Sequence, residues 1–313
     1  MTDSSLKTVL ITGAAGALAQ QVISRLHGRY NLIVCDSRRE VSMPEDIPSH
    51  RVDFNKRQFE DLFREYAFDS IIHLGRIGSH ENNREGRYAA NVLGSQRLLD
   101  LARKYNVGQT LVMSTFFVYG AHPLNPAYLT ESSPLKAAGI TMDLVDSVEL
   151  ENLATIYLWK YPELNITLLR PCNIVGPGVN NTLSQLLMQD RVPVLMGFSP
   201  MMQFIHLEDM ADAIVAAFEG NHPGIYNVAP DDCVPYKTAV ELCGCKTLPV
   251  PSLPAAAPRV LSRLLGKPLF PPHLINYFKY AATIDGSLFA STFNFKPRYT
   301  LRDIFSHYRN LKQ

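Results

Sequence analysis

The sequence contains no hydrophobic run long enough to cross a membrane. A transmembrane helix needs about 20 consecutive apolar residues, and no stretch of the 313 residues approaches that length. The first five residues, MTDSS, also lack the charged region and the apolar core of a signal peptide. We therefore expect a cytoplasmic protein with no membrane span.

Cysteine is scarce, and neither sign of charge is in excess. The five cysteines are scattered, and an odd number without regular spacing predicts reduced thiols. Cys243 and Cys245 flank one glycine, but no His or Cys pair stands nearby to complete a tetrahedral metal site. The net charge of +1 gives no indication of a nucleic-acid partner. We predict no metal and no nucleic acid, and a small molecule as the substrate.

The chain is rich in apolar sequence that is arranged in short runs. Hydrophobic residues make up 46% and charged residues 19%, which is typical of a globular protein with a large core. Short apolar runs alternate with segments of helical periodicity up to residue 178. This alternation predicts an α/β fold with a parallel, doubly wound sheet. We predict a sheet domain of residues 1–174 plus 203–229 and a smaller substrate-binding cap of residues 175–202 plus 230–313.

The first predicted strand leads into a turn of small residues. The apolar run over residues 9–12 ends at Gly13, and helical periodicity begins after Gly16. Glycine permits backbone angles and close approaches that a Cβ atom would block. The free N–H groups at the start of the following helix suit a pyrophosphate. The spacing Gly-x-x-Gly-x-x-Ala therefore predicts a dinucleotide-binding turn, the alternative being a plain connection between a strand and a helix.

The second predicted strand, residues 31–36, ends in an acid. Asp36 lies about 20 residues beyond the glycines, where a carboxylate can accept both ribose hydroxyls of an adenosine. An acid at this place repels a 2′-phosphate, which favours NAD over NADP. Arg38 and Arg39 follow at once and can hold that phosphate instead, so NADP stays open. The structural alternative is that Asp36 is a turn residue at the end of a strand.

Further candidate contacts follow the later strands. Asp53 can accept a hydrogen bond from an adenine amino group, and Gly75, after a buried strand, allows a cofactor to come close. Asn91 lies on the apolar face of a predicted helix, where a buried amide needs partners. It either contacts the cofactor or pins the strand loops together. Ser114 and Thr115 end the fifth strand, at the sheet edge where ligands bind in open α/β folds.

Several blocks follow the glycine turn in order: HLG at 73–75, NVLG at 91–94, STFFVYG at 114–120 and LRPCNIVGPG at 169–178. Together they resemble the extended short-chain dehydrogenase/reductases of the NAD-dependent epimerase/dehydratase type. The resemblance covers roughly residues 7 to 300 and implies a Rossmann domain that binds NAD(P). With the residues discussed above, it leads us to expect cofactor contacts at Gly13, Ala15, Gly16, Ala17, Leu18, Asp36, Asp53, Phe54, Leu74, Gly75, Arg76, Asn91, Ser114, Pro171, Asn173 and Ile174.

The chemistry that this resemblance implies requires a Ser or Thr, a Tyr that acts as general acid and base, and a Lys. Thr115 matches the Ser or Thr. The family pattern Tyr-x-x-x-Lys-x-x-x-Glu, placed on Glu151, puts Asp143 at the Tyr and Ser147 at the Lys. Residues 137–156 contain no Tyr and no Lys, so the departure does not depend on the alignment.

This departure leaves two hypotheses from different classes. In the first, the chain is an atypical NAD(P)-dependent oxidoreductase, epimerase or dehydratase. Thr115 then binds the reacting oxygen, and Asp143 with Ser147 replaces the Tyr–Lys pair. In the second, the chain is a non-catalytic NAD(P)-binding sensor or assembly protein, and Asp143 caps a helix over residues 144–158. Cofactor binding is expected under both hypotheses.

The substrate and the oligomeric state are constrained only by analogy. Family members that bind nucleotide diphosphates often carry an Arg where this chain has Met202. The segment 253–281 is mostly apolar and aromatic, which suits either a core or the wall of an apolar ligand site. The substrate is thus expected to be a sugar nucleotide or another hydroxyl or carbonyl compound, with room for a less polar one. By analogy we expect a homodimer through the helices near 81–105 and 143–161.

Overall fold

The computed structural model describes residues 6–77, 83–252 and 272–312. In chain order, the strands are β1 Thr8–Thr12, β2 Asn31–Asp36, β3 Ser49–Arg51, β4 Ser70–His73, β5 Gln109–Met113, β6 Ile166–Pro171, β7 Asn173–Val175, β8 Arg191–Leu195, β9 Met201–Met202, β10 Phe204–His206, β11 Gly224–Val228, β12 Val234–Pro235 and β13 Lys246–Val250. Seven of them form one parallel sheet in the order β3-β2-β1-β4-β5-β6-β11. The predicted α/β, doubly wound architecture is confirmed.

The inner strands are apolar because helices cover both faces of the sheet. Leu10, Ile71, Leu111 and Leu168, one from each of four neighbouring strands, are completely shielded from solvent. A run of apolar residues without alternation is what a parallel strand packed on both faces requires. Successive strands are added on one side of β1 as β2 and β3 and on its other side as β4, β5 and β6, so the strand order reverses between β1 and β4. Open α/β sheets bind ligands in the crevice beyond the carboxyl ends of the strands at such a point.

In chain order, the helices are α1 Ala17–Leu26, α2 Arg57–Glu65, α3 Arg84–Tyr88, α4 Gly94–Lys104, α5 Ala137–Ile140, α6 Val145–Lys160, α7 Thr182–Leu187, α8 Leu207–Gly220, α9 Tyr236–Leu242, α10 Ser287–Thr292 and α11 Leu301–Asn310. Helices α1 and α8 pack against each other and share one hydrophobic core. Helices α2, α4 and α6 share a second core. The sheet therefore lies between two helical layers, with its ligand-binding edge uncovered by either.

The long helix predicted near residues 81–105 differs from a regular α-helix. A π-helical turn, Ala89–Leu93, joins α3 to α4. Asn91 lies in this turn, is 1% exposed, and forms two hydrogen bonds with the backbone of Ile77. Such wide turns often occur at functional positions, and apolar periodicity alone does not reveal them.

The short strands of the predicted cap pair with one another. Strand β8 runs parallel to β13, and β9 runs antiparallel to β12. The same hydrophobic core contains Ile11 of the sheet and Tyr236 of α9. The division of the chain into a sheet domain and a cap stays a prediction. The apolar helical piece expected around residues 260–265 lies outside the described residues.

Three further expectations concern membrane spans, metal sites and the state of the cysteines. Across residues 6–77, 83–252 and 272–312, no helix is long and apolar enough to cross a bilayer. Within the same ranges, no group of three or more His, Cys, Asp or Glu side chains is placed to hold a metal ion. All five cysteines are free thiols, and four of them are buried.

Candidate cofactor and substrate site

The glycine turn brings the carboxyl ends of β1 and β4 into direct contact. Gly13 has a φ of +75°, and a Cβ atom there would lie 2.6 Å from the backbone Cα and N atoms of Gly75. Any side chain at position 13 would therefore push the two strand ends apart. The N–H of Gly16 closes the turn by donating to the carbonyl oxygen of Gly13 over 2.9 Å.

Helix α1 begins directly after this turn without a side-chain cap. Gly16 occupies the N-cap position and has no side chain to accept from the first turn. The first N–H groups of the helix, from Ala17 and Leu18 onward, therefore lack the usual capping oxygen. Unpaired donors and the positive end of the helix dipole make such a terminus suitable for a phosphate group.

Asp36 ends β2 and is 2% exposed. Its Oδ2 atom accepts a hydrogen bond from the N–H of Ala15 at 3.2 Å, and its Oδ1 atom accepts from the N–H of Arg38 at 2.9 Å. A carboxylate has about four acceptor positions, so about two remain for ligand hydroxyls. The guanidinium of Arg39 donates to the carbonyl of Ala15 at 3.3 Å rather than to the Asp36 carboxylate.

Asp36 and the glycine turn line a cavity of about 90 Å³. Eight of the residues predicted to contact the cofactor line this smaller cavity: Gly13, Gly16, Asp36, Asp53, Phe54, Leu74, Gly75 and Arg76. One carboxylate oxygen of Asp53 accepts from the N–H of Asn55 at 3.0 Å. Its other oxygen has no partner among the described residues. The structure thus brings together acids and glycines that come from four separate parts of the chain.

A second cavity, of about 330 Å³, lies where β5 and β6 end. The predicted site residues that line this larger cavity are Arg76, Ser114, Thr115, Pro171, Asn173 and Ile174. Most of its remaining described lining is apolar, with aromatic side chains from Phe116, Phe117, Tyr277 and Phe278. Arg76 lines both cavities, so the two lie on either side of this residue.

The two hydroxyl groups at the end of β5 have different partners. Ser114 donates its hydroxyl hydrogen to the buried carboxylate of Glu151, which also forms an ion pair with Arg170 at 2.6 Å. Thr115 accepts a hydrogen bond from the N–H of Phe117 at 3.4 Å. Its own hydroxyl hydrogen has no acceptor within the described ranges. Thr115 is therefore able to donate to an oxygen atom of a ligand in the larger cavity.

Asp143 lies outside the described lining of both cavities. Its Oδ1 atom is 2.6 Å from Nε of Arg84, and its carbonyl oxygen accepts from the guanidinium of Arg87 at 2.6 Å. Among the described residues, the Asp143 carboxylate pairs with Arg84 and forms no hydrogen bond with Thr115. The alternative, that Asp143 caps the helix that follows it, is also wrong. Helix α6 has Leu144 at its N-cap position, with no side-chain hydrogen bond there.

Ser147, the residue at the expected Lys position, is 2% exposed and contacts a cation from elsewhere in the chain. Its hydroxyl oxygen accepts a hydrogen bond from the Nη2 group of Arg76. The Nε group of Arg76 is buried and has no hydrogen-bond partner among the described residues. Burial lowers the pKa of the Arg76 guanidinium, although the carboxylates of Asp146 and Glu151 act in the opposite direction.

The loop that carries Arg76 is held by Asn91. The Asn91 Oδ1 atom accepts from the N–H of Ile77 at 2.8 Å, and its Nδ2 group donates to the carbonyl of Ile77 at 2.9 Å. The same Nδ2 group donates to Asp146 at 2.6 Å. Asn91 lines neither cavity in the described structure. Of its two predicted roles, pinning the loop is the one that these contacts perform.

A buried histidine, which the sequence analysis did not single out, supports the same strand ends. Nδ1 of His73 lies 2.7 Å from the Thr12 hydroxyl oxygen, and Nε2 lies 2.8 Å from that of Ser95. Ser95 donates to the carbonyl of Asn91 at 2.7 Å, so the network assigns the proton of His73 to Nε2. Burial lowers the pKa of His73 to about 4. A His within an apolar strand was the available signal for this network.

Two further titratable groups reach the larger cavity, and burial raises the pKa of both. Tyr277 donates its hydroxyl hydrogen to the carbonyl of Phe117 at 2.6 Å, and its pKa lies well above the ordinary value of a tyrosine. Burial also raises the pKa of the Cys172 thiol. Both groups are therefore protonated near neutral pH and are poor proton acceptors. Tyr277 lies far from the region where the sequence pattern places a catalytic Tyr, so that pattern could not find it.

The chain is similar in sequence to several known proteins. Residues 9–229 match the model of the NAD dependent epimerase/dehydratase family. An uncharacterized protein of Mycobacterium tuberculosis is 25% identical over 96% of this chain and 83% of its own length. UDP-glucose 4-epimerase of Caenorhabditis elegans is 27% identical over 67% of this chain and 73% of its own length.

The fold is also similar to that of solved structures. Crystals of dTDP-glucose 4,6-dehydratase from Bacillus anthracis in complex with NAD show a chain that superimposes with a TM-score of 0.76. That protein is 17% identical in sequence, and the superposition covers 97% of this chain and 96% of the dehydratase. The likeness at this identity concerns the fold.

Proposed function

The chain belongs to the NAD-dependent epimerase/dehydratase family, and we propose that it binds NAD across its two cavities and acts on a hydroxyl or carbonyl compound. The observation that carries this proposal is the junction at Arg76. Arg76 lines both the smaller cavity, which has an uncapped helix terminus and an acid, and the larger cavity, whose wall carries the Thr115 hydroxyl. A dinucleotide needs both features along one continuous path.

The residues present fit such a cofactor. The uncapped first turn of α1 suits the pyrophosphate, and Asp36 keeps about two acceptor positions for the hydroxyls of the adenosine ribose. The buried Nε group of Arg76 is a hydrogen-bond donor without a partner among the described residues. Asp53 has one free carboxylate oxygen for an adenine amino group. When bound, NAD supplies a nicotinamide ring that accepts or returns a hydride.

The position of Asp36 supports NAD rather than NADP. The Asp36 carboxylate is buried. The negatively charged 2′-phosphate of NADP would have to lie against it, which costs electrostatic energy. Arg38 and Arg39 are close enough in sequence to offset this repulsion. The side chain of Arg38, however, lies 3.7 Å from the Asp36 carboxylate. We propose that this arrangement partly neutralises Arg38 as a phosphate ligand.

We assign Thr115 the role of holding the reacting oxygen, and we assign Asp143 a structural role. Thr115 has a free hydroxyl hydrogen on the wall of the larger cavity. Asp143, which the sequence pattern nominates as the acid or base, is engaged with Arg84 and is not on that wall. Ser147 acts through its hydrogen bond to Arg76 and not as a proton donor to substrate.

A second candidate function is NAD binding without turnover, in a sensor or assembly protein. One observation favours it: the described lining of the larger cavity contains no carboxylate, His or Lys side chain. The Tyr277 hydroxyl, which does reach the cavity, is already donated to a backbone carbonyl. A reaction that moves a proton would then need a group from the substrate, from water or from outside the described residues.

The lining also bears on the substrate. Relatives are named for UDP-glucose and dTDP-glucose chemistry, yet Met201 and Met202 stand on the wall beside the aromatic side chains. Arg76 is the charged side chain that the described lining contributes. We propose a substrate whose body is less polar than a sugar nucleotide and which presents one hydroxyl or carbonyl group to Thr115.

We also propose a homodimer through α6 and the helices on either side of the π-helical turn. Trp159 and Ile156 on α6 are 77% and 57% exposed, and Leu93 of the π-helical turn is 46% exposed. Apolar side chains of this size, grouped on neighbouring helices, are typical of an interface. Sedimentation of the purified protein beside a Trp159→Glu variant tests this. A monomeric native protein would refute the dimer.

The proposed function is tested first by titrating NAD and NADP into the purified protein by calorimetry. Binding of NAD, tighter than that of NADP, is the expected result. A substrate screen that follows the NADH absorbance then separates the enzyme from the sensor. Lack of binding to either nucleotide would overturn both candidate functions, since both require the cofactor.

A further inference from the structure

Arg76 is a half-buried cation with a buried Nε group, and no acid among the described residues pairs with it. Among the described residues, no carboxylate oxygen lies within 4.0 Å of its guanidinium, and its Nε group has no hydrogen-bond partner. Within the described ranges, its guanidinium hydrogen-bonds to the neutral hydroxyl of Ser147. An ion in this state loses hydration without full compensation.

The two acids whose charges act on Arg76, Asp146 and Glu151, already pair with other residues. Asp146 accepts hydrogen bonds from Asn91 and pairs with Arg87 at 3.4 Å. Glu151 pairs with Arg170 at 2.6 Å and accepts from Ser114. These contacts leave the Arg76 guanidinium with donors to spare and, among the described residues, no carboxylate acceptor. Its remaining donors are therefore available to a ligand.

The position of Arg76 is also fixed before any ligand binds. Ser147 holds one end of the guanidinium, and the following residue, Ile77, is clamped by two hydrogen bonds to Asn91. The preceding residue, Gly75, donates its N–H to the Thr12 hydroxyl at 3.2 Å. A donor held from three sides loses little conformational entropy when it binds.

The direction of a bound dinucleotide decides which part of it would meet Arg76. One ribose lies at Asp36 and the pyrophosphate at the start of α1, if the proposed function holds. The cofactor then extends toward Thr115 and passes Arg76, which lines both cavities, directly after the pyrophosphate. The next group along a dinucleotide after the pyrophosphate is its second ribose.

We propose that Arg76 binds the ribose on the nicotinamide side of NAD and is the cationic group that replaces the missing Lys of the family pattern. The inference rests on the proposed function, since it requires NAD in the two cavities. Ser147 stands at the Lys position of that pattern, and its hydroxyl orients the guanidinium. The cation is thus supplied by the loop after β4 instead of by α6.

The test compares three ligands that share their adenosine half. ADP ends before the second ribose, ADP-ribose includes it, and NAD adds the nicotinamide. Calorimetry measures each ligand against the native protein, Arg76→Gln, Arg76→Lys and a control, Arg97→Gln. Arg97 pairs with Glu60 on the surface of α4 and lines neither cavity in the described structure.

In Arg76→Gln, the affinity for NAD and for ADP-ribose is expected to fall about 10- to 100-fold, which is the range of hydrogen bonds to a charged group. The affinity for ADP should stay within about twofold, and Arg97→Gln should leave all three unchanged. Arg76→Lys keeps the charge without the planar fork, so it should lose less affinity than Arg76→Gln.

Several outcomes would overturn the inference. Equal loss for ADP, ADP-ribose and NAD would mean that Arg76 supports the adenosine half or the fold. Unchanged binding of all three would mean that Arg76 does not touch the cofactor. If Arg76→Gln does not fold, the same comparison with Arg76→Lys decides, because a change confined to ADP-ribose and NAD is still required. A native protein that binds ADP-ribose and NAD no better than ADP would exclude a contact with the second ribose. A native protein that binds none of the three fails the proposed function itself.

Discussion

The carboxylate of Asp143 lies 2.6 Å from Nε of Arg84, and this ion pair forms outside the described lining of both cavities. Arg84 is 61% exposed and Asp143 is 21% exposed at their side chains. The residue that sequence alignment puts at the place of the catalytic Tyr is thus engaged in a partly exposed surface pair. A group held in this way is separated from the hydroxyl that would bind the reacting oxygen.

The variant Asp143→Asn should therefore bind NAD as the native protein does. Any turnover should change by less than about threefold, since no proton transfer depends on this carboxylate. Loss of the partly exposed ion pair should cost at most about 1 kcal/mol in free energy of unfolding. Calorimetry, a turnover assay and urea denaturation check these points. Lost turnover with intact NAD binding would restore Asp143 as the acid or base.

Asp36→Asn should weaken NAD binding and change the preference between the two nucleotides. The amide keeps one acceptor oxygen but loses the charge, so we expect a loss of about 10- to 100-fold for NAD. NADP binding should weaken less or improve, because the repulsion of its 2′-phosphate is removed. The matched control is Asp190→Asn, at an exposed residue that lines neither cavity in the described structure. Parallel losses for both nucleotides would contradict the proposed role of Asp36.

Arg76→Met should not destabilise the ligand-free protein. Burial of an ion without an acidic partner opposes folding, and an apolar side chain of similar length removes that opposition. We expect the free energy of unfolding to stay the same or to rise by about 1 kcal/mol, measured by urea denaturation. A loss of more than about 2 kcal/mol would show that Arg76 is a structural residue.

Glu151→Gln should destabilise the protein strongly. Glu151 is completely buried and neutralises Arg170, whose side chain is 3% exposed. Removing one partner leaves the other charge buried and unpaired, which typically costs about 3 to 5 kcal/mol. Urea denaturation measures the loss, and Glu163→Gln at an exposed position serves as the control. A loss below about 1 kcal/mol would mean that water or another acid compensates Arg170.

His73 should make stability depend on pH below neutrality. Burial lowers its pKa from 6.5 to about 4 in the folded state. Between these values the unfolded chain binds more protons than the folded one, so stability falls as the pH is lowered through this window. The full effect is about 3 kcal/mol, since one pKa unit corresponds to about 1.4 kcal/mol.

The measurement compares the native protein with His73→Gln by urea denaturation between pH 4 and pH 7. The variant is expected to be less stable overall, because the hydrogen bonds to Thr12 and Ser95 are altered. The informative quantity is the slope of stability against pH, from which this contribution should be missing in the variant. Identical slopes would mean that His73 does not carry the depressed pKa.

Much of the fold follows from local patterns in the chain. A parallel strand that is buried on both faces is apolar throughout, so a short apolar run such as residues 31–36 predicts a strand, and β2 spans those residues. Gly13 and Asp36 were found because strand ends in such a sheet meet at one edge. Both line the smaller cavity, in line with that expectation, while their contacts with NAD stay a prediction.

The catalytic assignments depended on features that no local pattern contains. Asp143 precedes α6 within a 3-10 turn, Met142–Leu144, and each residue at a helix start rotates the side-chain direction by about 100°. Alignment therefore gave the place of Asp143 along the chain but not the direction of its carboxylate. Arg84, its partner, comes from a helix 59 positions away.

The sequence by itself determined the parallel sheet, the glycine turn, the acid after β2 and the loss of the Tyr–Lys pair. These are properties of spacing and residue type. Only the tertiary structure decided that Arg76 reaches Ser147 across 71 positions of chain and keeps one buried donor without a partner in the described part of the chain. The physical reason is that the sheet order places the loop after β4 beside α6. Contacts between segments that are distant in sequence exist only once the sheet has formed.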